Sequence, residues 1–160
     1  MERYNVLFIC TGNSARSQIA EAIMNTIAVD KFVAYSAGSR PRGMVEPLAE
    51  QLIRQFGYSK ELRSKSWDEF HTADAPTMDF VITVCDDAAG EACPVWPGEP
   101  ALAHWGVADP ARTPDDASAF FKASQLLRRR IELLAALPLA QLDRLARQQA
   151  ARNIAQETSV

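Results

Sequence analysis

Short apolar runs alternate along this chain with longer stretches in which apolar residues recur every three or four positions. Residues 4–9, YNVLFI, form a bounded run rich in β-branched and aromatic side chains and predict a buried strand. From residue 14 to 28 the spacing becomes helical, with Ile19, Ile23 and Ile27 on one face. Residues 32–37, FVAYSA, predict a second strand stopped by Gly38, and residues 47–56, PLAEQLIRQF, a second helix capped by Gly57. Residues 80–85, FVITVC, predict a third strand, and residues 103–105 a short fourth one ahead of Gly106. Beyond Asp109 and Pro110, residues 114–137 predict a long helix whose apolar stripe is Phe120, Leu127, Ile131 and Leu134.

Strands alternating with helices favour an α/β fold, because parallel crossovers are right-handed and lay helices over the faces of the sheet. One domain, residues 1–137, accounts for all of these elements. Pro138 breaks the last of them, and residues 138–160 are expected to form a C-terminal helical extension, packed on the domain or partly disordered, with amphipathic spacing over 139–154. At 160 residues and 48% apolar content the chain can bury a core without help from a partner or a metal.

Charge narrows the function. A net formal charge of -3 supplies no global basic field, so nucleic acid and anionic membrane are not expected as partners, and any anion must be bound locally. No apolar run approaches the length of a bilayer span, and the first residues lack the layout of a secretory signal, so the expected location is cytoplasmic. Three cysteines, an odd number in such a chain, point to reactive thiols rather than a static disulfide framework. His71 and His104 have no Cys or His at metal-ligand spacing and are expected to be structural.

The candidate chemistry sits between the first strand and the first helix, in Cys10-Thr11-Gly12-Asn13-Ser14-Ala15-Arg16-Ser17. Backbone N–H groups of such a loop can converge into a nest, and the helix N-terminus adds partial positive charge, so a tetrahedral dianion can be held there. Gly12 permits close backbone approach, and Asn13 tolerates positive φ. Arg16 offers a planar fork to two oxygens of the anion. Cys10 at the floor is expected to have its pKa lowered by the dipole and the guanidinium, giving a nucleophilic thiolate to which Ser17 donates a hydrogen bond. The loop lacks the Gly-Lys-Ser/Thr ending of a nucleotide P-loop, which disfavours a nucleotide triphosphatase. The bland alternative is a buried cysteine at a strand end with a surface arginine on the helix.

Taken with YSAG at 35–38, VITVCDDAAGEACPVWP at 81–97 and HWGVADPA at 104–111, the segment CTGNSARSQIAEA at 10–22 resembles the low-molecular-weight protein tyrosine phosphatase superfamily, and more closely its thioredoxin-coupled arsenate reductase branch. The resemblance covers about residues 4–137. It implies a four-stranded parallel sheet of order 2-1-3-4 flanked by helices, which agrees with the alternation above. It implies that Cys10 attacks arsenate, that Cys85 then attacks Cys10 as arsenite leaves, and that Cys93 next attacks Cys85, leaving a disulfide for an external dithiol such as thioredoxin. It also implies Asp109 as general acid, and Asn13, Glu21 and Ser36 as supports of the loop, with Asn13 and Ser36 expected as a buried hydrogen-bonded pair. In some reductases these positions help bind potassium, although the further carboxylate of such a site is not evident in RSKSWDEF. No tightly bound cofactor is expected.

The loop and its thiolate are common to phosphatase and reductase. In the implied strand order, Cys85 ends a strand beside the one that carries Cys10, and Cys93 follows across a short polar segment, which favours the reductase. Ser39-Arg40-Pro41-Arg42 and Ala111-Arg112 stand where tyrosine phosphatases of this type carry aromatic residues, so a small inorganic oxyanion fits better than a phenyl ring. The alternatives are a phosphomonoesterase in which Cys85 and Cys93 protect Cys10, and a noncatalytic oxyanion-binding protein.

Overall fold

The computed structural model describes residues 3–85, 95–112 and 116–158. Its first half follows the hydrophobic pattern closely. Strand β1, Tyr4–Ile9, leads into helix α1, Arg16–Ile27; β2, Phe32–Ala37, leads into α2, Pro47–Gln55. Strands β3, Phe80–Thr83, and β4, Ala101–His104, follow, then helices α3, Ala117–Ala135, and α4, Arg144–Glu157. The four strands pair in parallel in the order β2-β1-β3-β4, as the resemblance implies.

Several boundaries differ from the pattern, among them the end of α3 at Ala135 rather than 137 and the span of α4, 144–157 rather than 139–154; three others bear on the site, each for a local reason. The first helix starts at Arg16 rather than residue 14, because Asn13 takes a left-handed backbone (φ 45°) and the chain turns before the helix can begin. Strand β3 ends at Thr83, so Val84 and Cys85 belong to the turn beyond the sheet, although Val84 N–H still bonds the Ile9 carbonyl at 2.9 Å. Strand β4 starts two residues earlier than the sequence pattern indicated; Ala101 N–H bonds the Asp79 carbonyl at 2.8 Å and brings the strand into register with β3.

The central strand carries the core. Val6, Leu7, Phe8 and Ile9 are all fully buried, as expected for a parallel strand covered on both faces. Ile19 and Ile23 of α1, and Phe120, Leu127, Ile131 and Leu134 of α3, join them in one apolar cluster. Both sheet edges are blunted by side chains. Asn25 of α1 accepts from the Ala34 amide and donates to its carbonyl, at 2.9 and 3.0 Å. On the opposite edge, Gln148 accepts from Leu102 N–H (2.9 Å) and Arg152 donates to Leu102 C=O (3.1 Å). These two residues lie one turn apart on α4, so that helix satisfies backbone groups that could otherwise recruit another strand. Trp105 Nε1 donates to the Ala151 carbonyl at 2.9 Å, anchoring the same helix to the end of β4. Among the described residues no helix is long and apolar enough to cross a membrane.

The register sets the position of the site. Ile9 lies level with Ala37 of β2 and Thr83 of β3, so Cys10, Gly38 and the turn holding Cys85 emerge together from the carboxyl edge of the sheet. This is the edge at which open α/β sheets bind ligands.

Candidate active site

Residues 10–17 wrap into a cup over that edge, and the hydrogen bonds on its outside explain its shape. The carbonyls of Thr11, Gly12 and Ser14 accept from the backbone N–H groups of Arg40, Arg42 and Glu46 at 3.0, 3.0 and 2.8 Å. Because a trans peptide points its C=O and N–H in opposite directions, carbonyls turned outward at Thr11 and Ser14 turn the amides of Gly12 and Ala15 inward. Helix α1 adds to the effect. Its first internal bond runs from Ile19 N–H to the Ala15 carbonyl, and Ala15 offers no capping side chain, so the amides of the first turn lack an intrahelical acceptor and are available to an anion.

The cup opens into a cavity of about 230 Å³ bordered by Cys10, Thr11, Gly12, Ser14, Ala15 and Arg16, with Arg40, Arg42, Asp109 and Ala111 around its mouth. Arg16 is fixed by a bond from Nη1 to the Val107 carbonyl (2.8 Å) and by an ion pair from Nη2 to Asp109 Oδ2 (3.8 Å). Asp109 is held in turn by the Ala111 amide, which donates to its Oδ1 at 2.9 Å. Asn13 and Ser17, both fully buried, lie behind the cup wall and do not line the cavity.

Cys85 stands beside the cup. Thr11 N–H donates to Cys85 Sγ at 3.3 Å, and the two buried thiols, not joined as a disulfide, interact directly. This proximity reverses one expectation. The Cys10 pKa is raised, first by its hydrogen bond with Cys85 and then by burial, against the lowering influence of Arg16 and of the Gly12 N–H. The helix dipole and the guanidinium act within the loop, but a second sulfur lies alongside, and two adjacent thiols do not both ionise easily; their protons come off in two steps that belong to the pair and not to either residue. Cys10 should therefore react slowly with iodoacetamide near neutral pH. Replacing Cys85 by alanine removes the largest raising influence and leaves Arg16 in place, so the rate at pH 7 should rise at least about tenfold. A pH series of alkylation rates followed by peptide mass measurement checks both the direction and the residue modified. Cys93 lies outside the described residues.

Behind the wall, Asn13 organises the loop. Its Nδ2 donates to Ser17 Oγ at 2.8 Å, and its Oδ1 accepts from Gln18 Nε2 (3.0 Å) and from Lys65 N–H (2.9 Å). Two expectations are corrected here. Ser17 Oγ accepts from Asn13 Nδ2, and among the described residues no hydrogen bond from Ser17 to the Cys10 sulfur is seen. Asn13 and Ser36 are joined not to each other but through Lys65, whose Nζ donates to Ser36 Oγ at 3.2 Å. The same ammonium donates to the Arg63 carbonyl at 3.0 Å and lies 3.8 Å from Glu21 Oε1. Burial pushes the Glu21 carboxyl up and the Lys65 amine down, and the charge of each opposes the shift of the other.

The local motif did not reveal Gln18, Gly38, Arg40, Arg42 and Lys65. Gln18 is fully buried and ties Asn13 to the Arg63 carbonyl (2.8 Å). Gly38 faces the cup so closely that a Cβ there would overlap the Thr11 carbonyl oxygen. Two arginines close to the second strand were the visible signal for Arg40 and Arg42. His71 stacks on Trp96 at 4.2 Å between ring centroids, and His104 Nδ1 shares a 2.7 Å hydrogen bond with Thr83 Oγ1; neither belongs to a metal-ligating cluster among the described residues.

A family model described as low molecular weight phosphotyrosine protein phosphatase matches residues 5–150. The chain belongs to this family. Within the low molecular weight phosphatase family it is similar to proteins named for another reaction. It is 36% identical over 112 residues to the arsenate reductase of Shouchella clausii, covering 70% of this chain and 78% of that one. The arsenate reductase structure from Archaeoglobus fulgidus superposes with a TM-score of 0.67 at 27% identity, covering 82% of this chain and 99% of the other. A thioredoxin-dependent arsenate reductase from Corynebacterium glutamicum superposes with a TM-score of 0.59 at 26% identity, covering 87% and 64% of the two chains.

Proposed function

We propose that this protein is an arsenate reductase that uses Cys10 as nucleophile and Cys85 as the first thiol of a disulfide relay. The observation that carries the reading is the second sulfur at the cup, with Thr11 N–H bonded to Cys85 Sγ at 3.3 Å. Hydrolysis of a phosphoester needs a single nucleophile, whereas delivering two electrons to arsenic needs a second thiol within reach of the first. The names of the similar reductases agree with it.

Arsenate enters the cup and is held by the inward amides and the Arg16 fork, while Arg40 and Arg42 add positive charge at the mouth. Cys10 Sγ attacks arsenic(V) and displaces a hydroxyl; the thiol gives up its proton as it attacks, Asp109 takes that proton and passes it to the departing oxygen, and the oxygen leaves as water. Cys85, as thiolate, then attacks Cys10 Sγ. The S–As bond breaks with its electron pair going to arsenic, which leaves as arsenite, and the two sulfurs are oxidised to a disulfide. Cys93 attacks Cys85 to restore Cys10, and an external dithiol reduces the Cys85–Cys93 bond. We assign that dithiol to thioredoxin, in line with the dependence named for the Corynebacterium glutamicum protein. Such a cycle runs against a reducing thiol pool, and we place the enzyme in the cytoplasm on that ground.

The deciding experiment is disulfide mapping after one arsenate turnover without reductant, alongside steady-state arsenite release with thioredoxin, thioredoxin reductase and NADPH. A Cys85–Cys93 bond and stoichiometric NADPH consumption are expected. Hydrolysis of p-nitrophenyl phosphate with no arsenite release would instead assign a phosphomonoesterase. Arg16→Lys replaces the planar fork by a point charge and should weaken phosphate binding, read by calorimetry, by roughly thirtyfold to a hundredfold.

A further inference from the structure

We propose that Lys65 is the built-in cation of the loop support, so that the oxyanion cup of this chain is braced by its own ammonium and needs no potassium. A bare metal ion and an ammonium make the same demand on their surroundings, namely several oxygen atoms converging on one point with a net negative charge nearby. The buried oxygens behind the cup meet that demand, and the position is taken. Lys65 Nζ donates to Ser36 Oγ at 3.2 Å and to the Arg63 carbonyl at 3.0 Å, with Glu21 Oε1 at 3.8 Å. Both charged side chains are nearly enclosed, at 10% exposure for Lys65 and 11% for Glu21. A potassium ion between Ser36 and Glu21 would have to sit against this ammonium, with like charges in contact and little solvent to screen them. The residues present therefore do not fit the ion.

Lys65 also connects this buried pair to the cup through its own backbone. Its N–H donates to Asn13 Oδ1 at 2.9 Å, while its Nζ anchors it to Ser36 and Glu21. Asn13 holds the left-handed turn of the loop (φ 45°). Lys65 is thus a positioning residue that acts on the oxyanion through Asn13 without touching it. Removing its charge leaves the buried Glu21 with only the exposed Arg63 guanidinium, itself paired with Glu69, as a counter-charge, a situation that costs far more than the intact pair contributes. In that variant, and not in the wild type, an added monovalent cation has an oxygen-lined space to fill.

The test compares the whole protein with Lys65→Ser in potassium chloride and in choline chloride at equal ionic strength, reading Tm and phosphate affinity by calorimetry. The inference rests on the oxyanion-binding half of the proposed function and not on the relay, and Tm does not depend on either. The wild type should give the same Tm and the same affinity in both salts. Lys65→Ser should bind phosphate roughly tenfold more weakly in choline, and potassium should raise its Tm and recover most of the affinity. A wild type that gains Tm in potassium would overturn the proposal, as would a Lys65→Ser protein whose Tm and affinity are normal in both salts. If Lys65→Ser folds only in potassium, the proposal is supported. If it folds in neither salt, the double variant Glu21→Gln/Lys65→Met, which has no buried charge to compensate, decides: weakened phosphate binding with no response to potassium supports the brace, and undiminished binding overturns it. Failure of phosphate to bind the wild type would count against the cup itself, and the Tm comparison would still decide the role of Lys65.

Discussion

Replacing Cys85 by serine should abolish sustained arsenite release while leaving the oxyanion cup able to bind. Serine keeps a polar group beside Thr11 N–H, so the neighbourhood that Cys85 occupies is preserved in size and hydrogen-bonding capacity. What it removes is the ability to form a disulfide with Cys10. The first step still yields the thiol-arsenate adduct, but no neighbouring sulfur can accept the bond through which two electrons reach arsenic. Thioredoxin-coupled turnover should fall at least about a thousandfold, the scale seen when a member of a mutually dependent catalytic set is lost. Phosphate affinity by calorimetry should change by less than about threefold. Hydrolysis of p-nitrophenyl phosphate, if the wild type shows any, should persist, because that reaction uses Cys10, Arg16, Asp109 and water and no second thiol. Cys10→Ser, run in parallel, should lose both activities. Arsenite release by Cys85→Ser within a few-fold of the wild type would remove the relay from the mechanism.

The second large effect is expected at a residue with no side chain. Gly38 follows β2 and is bonded on both sides: its N–H donates to the Lys65 carbonyl at 2.9 Å and its own carbonyl accepts from Trp67 N–H at 2.9 Å. A methyl group at this position would overlap the Thr11 carbonyl oxygen, lie 2.7 Å from the Cys10 carbonyl oxygen and 3.0 Å from the Asn13 nitrogen. All three are backbone atoms of the cup, so no rotamer change can relieve the contact, and either β2 or the loop must move. Gly38→Ala should destabilise the protein by about 2–3 kcal/mol, equivalent to a Tm lower by about 5–10 °C for a chain of this size. The distortion falls on the atoms that aim the inward amides. Arsenate turnover should therefore drop about a hundredfold even at temperatures where the variant is folded. Calorimetric unfolding together with kinetics at 10 °C separates the two effects, and a variant of normal Tm and activity would show that the cup yields more readily than its bonding implies.

Much of the site could be read from the chain because it is contiguous. Cys10 to Arg16 is one segment between a strand and a helix, and its chemistry depends on local geometry that glycine, asparagine and arginine announce. The strands were legible to different degrees. The limits of β1 and β2 coincide with their expected runs: Arg3 and Lys31 precede them, and the anion loop that opens at Cys10 and the glycine at Gly38 follow them. The apolar run FVITVC continues past the end of β3, since the last two residues are buried by the turn beside the cup and not by strand pairing.

The periodicity of its apolar residues and the loop between its first strand and helix follow from this protein's sequence alone, because each depends on neighbours a few positions apart, and the lack of any strong net charge follows because it is a sum over the chain. Tertiary structure decided which distant groups meet. Thr11 bonds Cys85 across 74 positions, Asn13 bonds Lys65 across 52, and Lys65 bonds Ser36 across 29. Those meetings raise the Cys10 pKa where the loop by itself would lower it, and put an ammonium where the motif left room for a metal ion. The physical reason is that charge and desolvation act through space over a few ångströms, and only the folded register of β1, β2 and β3 determines which residues share those few ångströms.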